Sequence, residues 1–158
     1  MNHAKYLTLT EESLLVYRFT SEGPKGLVKK SATYSITEIE NVYNLGFGDY
    51  DSTTDQVNDL AVTNNGDSKK ILATVASTLY AFTDKFPNAW IGATGSTPAR
   101  TRLYRMGITN NLREILKDFV IFGYSLDEDW EKFRVGKEYK AFLITKKENV
   151  HTSWRQKI

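Results

Sequence analysis

Apolar and polar residues alternate along the first part of the chain, and the period then changes. Leu14–Thr20 and Leu27–Ile36 are runs rich in β-branched and aromatic residues, separated by Ser21-Glu22-Gly23-Pro24-Lys25-Gly26, a cluster of strong turn formers. The pair reads as a hairpin whose loop is too long for a tight turn. Val42–Tyr50 alternates into Leu45, Phe47 and glycines, and Asp51–Asp55 then turns the chain into Val57–Thr63, a second hairpin with a polar tip. Together these runs predict an antiparallel meander.

Beyond it, Ile71, Leu72, Val75, Leu79, Phe82 and Phe86 recur at three- and four-residue steps, which places them on one stripe of a helix. Asn65 or Asp67 caps that helix and Pro87 ends it. Trp90–Thr94 is short and apolar, as a central strand is. A second helix starts at Thr97-Pro98, where a hydroxyl cap precedes a proline in the first turn, and Gly107 predicts a break or kink in it. Asn111–Lys117 reads as helix, Phe119–Tyr124 as strand, and Tyr139–Lys146 as a last strand after a polar loop. The fold class is therefore α+β: an antiparallel meander followed by strand, helix, strand, helix, strand, with the helices packed on a mixed sheet. A right-handed parallel crossover from Val57–Thr63 through the first helix to Trp90–Thr94 is expected. The sequence holds no internal repeat and no low-complexity tract.

Length and composition narrow this to one domain. The chain has 158 residues, 41% hydrophobic and 25% charged, with three prolines, enough to bury a core without a long disordered tract. Residues 1–12 and the tail from Glu148 are expected to be peripheral. The net charge is only +2, so a nucleic-acid or membrane partner would have to be read from local clustering. The absence of cysteine excludes disulfides and thiol nucleophiles. Met1–Thr10 lacks the apolar core of a signal peptide, and no run approaches the roughly 18 apolar residues of a membrane helix, so a cytoplasmic location is expected.

Two segments carry candidate chemistry. Asn64, Asn65, Gly66, Asp67, Ser68, Lys69 and Lys70 follow a strand and open a helix, an arrangement in which backbone amides, the positive helix end and a lysine receive a phosphate. The bland alternative is a turn at Gly66, a cap at Asp67 and solvated lysines. The run from Gly92 through Thr94, Ser96, Thr97, Arg100 and Arg102 to Arg105 sets small residues at a strand end before a helix with three arginines in six positions. Ligands of open α/β sheets collect at the carboxyl ends of parallel strands, and both segments are expected on that edge, facing one cleft. The competing reading pairs the arginines with nearby carboxylates. Tyr104 is a candidate general acid or hydrogen-bond donor, against the alternative of a buried anchor. Asp49, Asp51, Asp55 and Asp59 crowd the second hairpin without the spacing of a calcium loop, so no metal is expected. His3 and His151 are too few for a triad or a histidine metal site.

Phe19-Thr20-Ser21-Glu22-Gly23-Pro24-Lys25-Gly26, Asn44-Leu45-Gly46-Phe47-Gly48-Asp49, Asn64-Asn65-Gly66-Asp67 and the run from Ala93 to Tyr104 resemble a family of short bacterial proteins known only as a domain of unknown function. More distantly, the order of elements over Leu27–Gly107 is similar to the GNAT acyltransferases, with Leu103-Tyr104 and Gly107-Ile108 resembling that family's leucine-tyrosine and glycine-phenylalanine pairs. This second resemblance implies a GNAT-like mixed sheet, acyl-CoA at the loop entering the first helix, and Tyr104 as the acid. The combined expectation is a phosphate-bearing small molecule, either acyl-CoA or a nucleotide, held by Asn64–Lys70 and Thr94–Arg105. The alternative is a non-catalytic protein that binds RNA or an acidic protein, as half of a toxin–antitoxin or phage-defence pair.

Overall fold

A computed structural model describes residues 4–10, 15–51, 53–54, 56–58, 65–95 and 97–150. Along the chain the strands are β1 (Leu9–Thr10), β2 (Val16–Gly23), β3 (Gly26–Ile36), β4 (Val42–Asp51), β5 (Gln56–Asn58), β6 (Trp90–Ala93), β7 (Phe119–Ser125), β8 (Trp130–Lys132) and β9 (Tyr139–Lys146). The helices are α1 (Ser68–Lys85), α2 (Pro98–Asn110) and α3 (Leu112–Asp118), and a 3-10 turn follows at Lys147–Val150. All nine strands join one mixed sheet in the order β1-β2-β3-β4-β6-β9-β7-β8, with β5 also paired to β4. The α+β order read from the periodicity is the one observed. The short strands β1 and β8 carry too few residues for a period to show.

β2, β3 and β4 form the expected meander, in antiparallel register from Gly23↔Gly26 to Ile36↔Tyr43. The parallel pairing differs from expectation. β6 lies parallel to β4, through Val42↔Trp90 to Asn44↔Gly92, and not beside the strand that leads into α1. β5 takes the far end of the same β4 edge, antiparallel, through Asp49↔Asn58 to Asp51↔Gln56. One long strand thus serves two partners on one side, and the crossover to β6 starts from β4. Residues 59–63 of the expected strand lie outside the described residues.

α1 forms because its apolar stripe can be buried. Ile71, Leu72, Val75, Leu79 and Phe82 join Tyr17, Phe19, Ala32, Tyr34, Leu45 and Phe47 of the sheet in one core. The stripe also buries Thr74, Thr78 and Thr83, whose hydroxyls donate to the helix carbonyls of Lys70, Val75 and Leu79 at 2.6–2.7 Å. Thr74 accepts the Tyr6 N–H at 2.8 Å, and Tyr6 stacks on Phe19 at 5.9 Å, so this part of the amino-terminal segment is tied to the core. Alternate residues of β6 face the two sides of the sheet: Ile91 joins this core, while Trp90 packs with Phe122 and Leu143 in a second cluster.

Gly107 does not break α2, which continues to Asn110. A Cβ there would lie 3.3 Å from the Leu72 side chain, so the glycine instead lets α2 approach α1. Phe82 is the hub of the main core, fully buried, stacked on Tyr34 at 4.0 Å and edge-on to Tyr43 at 4.9 Å. Phe82→Ala is expected to cost about 3–5 kcal/mol by removing the ring and leaving a cavity, read as a lower urea midpoint at unchanged slope.

Candidate functional site

The expected site residues divide according to the face of the helix on which they fall. α2 begins as expected: Thr97 is its N-cap, its hydroxyl accepting from the Arg100 N–H at 3.2 Å, and Pro98 opens the first turn. Residues four apart share a helix face, so Arg100 and Tyr104 point together, toward the sheet. Both are buried. Among the described residues β6 accompanies β4 only to Asn44 and β5 only from Asp49, which leaves a gap on that edge of β4. Into this gap the Tyr104 hydroxyl donates to the Leu45 carbonyl at 3.1 Å, and the Arg100 Nη2 donates to the Phe47 carbonyl. The guanidinium also lies 4.4 Å from the centre of the Phe47 ring, which is edge-on to Tyr104 at 5.4 Å. Arg100, expected to face a ligand, and Tyr104, which takes the place of a buried anchor and not of an acid in a cleft, complete the hydrogen bonding of a strand. The Arg100 Nη1 is left buried without a hydrogen-bond partner among the described residues.

The segment at the start of α1 is likewise turned inward. Asn65 is buried against the β2–β3 turn, accepting from the Lys25 N–H at 2.7 Å and donating to the Gly26 carbonyl at 2.9 Å. Gly23 makes room for it, since a Cβ there would meet the Asn65 carbonyl at 2.0 Å. Gly66 takes a positive φ of 77°, which allows the chain to reverse into the helix. Asp67 stands at the N-cap, but its carboxylate makes no cap bond. It accepts instead from the Tyr6 hydroxyl at 2.5 Å and the Ser21 hydroxyl at 2.6 Å. Burial, then the Asp67 carboxylate, push the Tyr6 phenol above its usual range. Lys69 is exposed, and Asn64 and Ser96 lie outside the described residues.

A cavity of about 320 Å³ opens on the other face of α2. Arg102 and Arg105, three residues apart, line it with Gly95, Thr97 and Thr101 on one side and Glu138, Tyr139 and Lys140 on the other. No residue of 65–70 is among those that line it, so the two expected segments do not share this cavity. Backbone donors contribute little, because Pro98 has no N–H, Arg100 N–H is taken by Thr97, and Gly95 N–H donates to the Thr101 hydroxyl at 3.1 Å. The positive charge is carried by side chains. Arg102 is exposed and has no ion-pair partner among the described residues, while Arg105 donates to the Lys137 carbonyl at 3.4 Å. Lys140 reaches Glu128 at 3.3 Å, an exposed pair of small worth.

Tyr139 forms the wall opposite α2 and was not expected there. Its ring stands where a Gly123 Cβ would be, 2.4 Å away, and its hydroxyl donates to Glu131 Oε2 at 2.9 Å while accepting from the Arg134 N–H. Lys137 donates to the same carboxylate at 2.7 Å. The bonds from Lys137 and Tyr139 hold the Glu131 carboxyl below its usual value of 4.5, and burial, with Glu131 adding to it, raises the Tyr139 phenol. Tyr139 therefore shapes the cavity as a fixed wall, with its proton committed to Glu131.

The acidic hairpin is differently employed. Asp49 pairs with Lys30 at 2.6 Å, Asp51 accepts from Thr53, and Asp55 and Asp59 lie outside the described residues. Among the described residues no group of three or more histidine, aspartate or glutamate side chains could hold a metal ion, and no helix is long and apolar enough to cross a membrane.

The mixed sheet with its filled β4 edge and basic cavity occurs in a chain that belongs to DUF6934, a family of unknown function whose model matches residues 2–147. No curated protein and no solved structure matches the chain.

Two expectations follow. Tyr104→Phe, which leaves the buried Leu45 carbonyl without its donor, should lower unfolding free energy by about 1–3 kcal/mol in urea titrations; an unchanged midpoint would show that the bond does not matter. Glu131 has a depressed carboxyl in the folded state, so its contribution is present above pH about 4.5 and is lost as pH falls below that. Melting temperature followed from pH 6 down to about 3 should therefore drop more steeply in the wild type than in Glu131→Gln.

Proposed function

We propose that this protein binds a small phosphate-bearing metabolite in the cavity between α2 and the start of β9. The observation that carries the reading is the convergence of Arg102, Arg105 and Lys140 on one cavity, with a single carboxylate among the described residues, Glu138, at its rim. Guanidinium groups match phosphate oxygens in a planar fork and remain charged at every physiological pH. α2 adds a favourable field, since its first turn carries no acidic residue. The position also fits, because the cavity opens just past the carboxyl end of β6, the strand that runs parallel to β4.

Size favours one expected ligand over the other. At about 320 Å³ the cavity is near the lower end of ligand sites, which suits a phosphate on a small body, such as a mononucleotide, better than a whole acyl-CoA. The stretch of the β4 edge between β6 and β5 offers no second route, being filled by Arg100 and Tyr104. The reading is therefore one of ligand binding, with no acyl transfer built on Tyr104.

The test is a thermal-shift titration with pyrophosphate, AMP and acetyl-CoA, on the wild type and on a variant carrying Arg102→Ala and Arg105→Ala. A ligand at about 100 times its Kd stabilises by about 2.7 kcal/mol, worth roughly 5–10 °C in a domain of this size. The wild type should shift with pyrophosphate or AMP, and the double variant should not. Absence of any shift at concentrations of about 5 mM, or equal shifts in both proteins, would sink the reading.

A further inference from the structure

A second concavity, a groove of about 560 Å³, lies toward the opposite end of the sheet from the α2 cavity. Among the described residues, Lys5, Arg18, Lys29, Lys30 and Lys70 line it against one carboxylate, Glu22. The whole chain is only +2, so this is a concentration of charge in one place. The cations are of two kinds. Lys30 is buried and paired with Asp49, Arg18 lies over the Tyr50 ring at 4.3 Å, and Lys70 lies over the Tyr6 ring at 4.1 Å. Lys5 and Lys29 are exposed.

Two of the aromatic rings already carry cations. Tyr6 is already covered by Lys70 and stacked with Phe19, and Tyr50 carries Arg18. Cations held over rings are fixed in place to meet phosphates. The strand edge argues against an extended acidic peptide. β1 occupies the outer edge of β2 at Tyr17 and Arg18, and the Tyr6 hydroxyl accepts from the Glu22 N–H at 2.9 Å. The stretch left between, Phe19–Ser21, is too short for strand addition. A phosphate backbone needs no such edge, since its repeated charges meet ammonium and guanidinium groups without a register of backbone bonds.

We propose that this groove binds the phosphate backbone of a single-stranded nucleic acid, without selecting its bases. Among the described residues it shares no lining residue with the α2 cavity, and it stands independently of the metabolite reading.

Fluorescence anisotropy with labelled oligo(dT) and oligo(U), each of about 20 nucleotides, tests the proposal over a range of salt. Both should bind, with log affinity falling against log salt at a slope of about −2 to −3, at about −0.7 for each phosphate engaged. Charge reversal at the two exposed positions, Lys5→Glu with Lys29→Glu, should weaken binding by about tenfold or more and flatten the slope. Arg102→Ala with Arg105→Ala should leave it unchanged. If the reversed variant does not fold by its melting curve, Lys29→Ala alone should still lose about threefold. No binding of either oligonucleotide at low salt, an affinity indifferent to the groove variants, or an equal loss in the α2 variant would each overturn the proposal. Tighter binding of poly-glutamate than of either oligonucleotide would overturn it in favour of an acidic protein.

Discussion

A strand in the middle of a sheet must pair its backbone groups on both sides, and among the described residues β4 has no strand partner on one side between Asn44 and Asp49, past the end of β6 and before β5. Tyr104 and Arg100 supply the missing donors from α2. An unsatisfied buried carbonyl costs about 1–3 kcal/mol, so two such bonds set the rotation of α2 about its own axis firmly. Once residues 100 and 104 are turned to β4, helical geometry obliges 102 and 105 to face the other way. The charge of the cavity is thus a consequence of how the sheet edge is closed.

Closing that edge requires close approach, and small residues provide it. A Cβ on Gly95 would meet the Thr101 N–H group at 2.3 Å, so only glycine lets the turn after β6 fold back on the first turn of α2. Gly107 does the same between α2 and Leu72 of α1. Across the cavity, Gly123 admits the Tyr139 ring, and Glu131 fixes its hydroxyl. Both walls are therefore held by packing and by bonds that involve no ligand. Such preorganisation lowers the ordering cost when something binds.

Element types and most boundaries were legible in the sequence because they rest on period and on caps: the Ile71–Phe86 stripe and the Thr97-Pro98 cap both reappear as read. Partner choice was not. That β6 runs beside β4 follows from the division of one strand edge between two neighbours, which no local pattern encodes. The site was half legible. Three arginines in six positions announced charge, and the spacing of Arg102 from Arg105 and of Arg100 from Tyr104 separates the faces, but only the β4 carbonyls decide which face turns inward. Tyr139 and Lys140 carried no signal, since they follow a polar loop and reach the cavity through tertiary packing alone.

The start of α1 shows why residue type alone misleads at helix ends. Asparagine, glycine and aspartate before a helix suit a phosphate, and they equally suit a turn of the same chain. Here Asn65 serves the β2–β3 turn and Asp67 collects hydroxyls from Tyr6 and Ser21. The carboxylate also places a negative charge where the helix field is most positive. An incoming phosphate would meet that charge and lose the advantage of the helix end. α2 differs on this point: its cap is the neutral Thr97, its first turn holds no acid, and its charged neighbours across the first two turns are arginines. Of the two helix starts, the one with no anion of its own is the one beside the basic cavity.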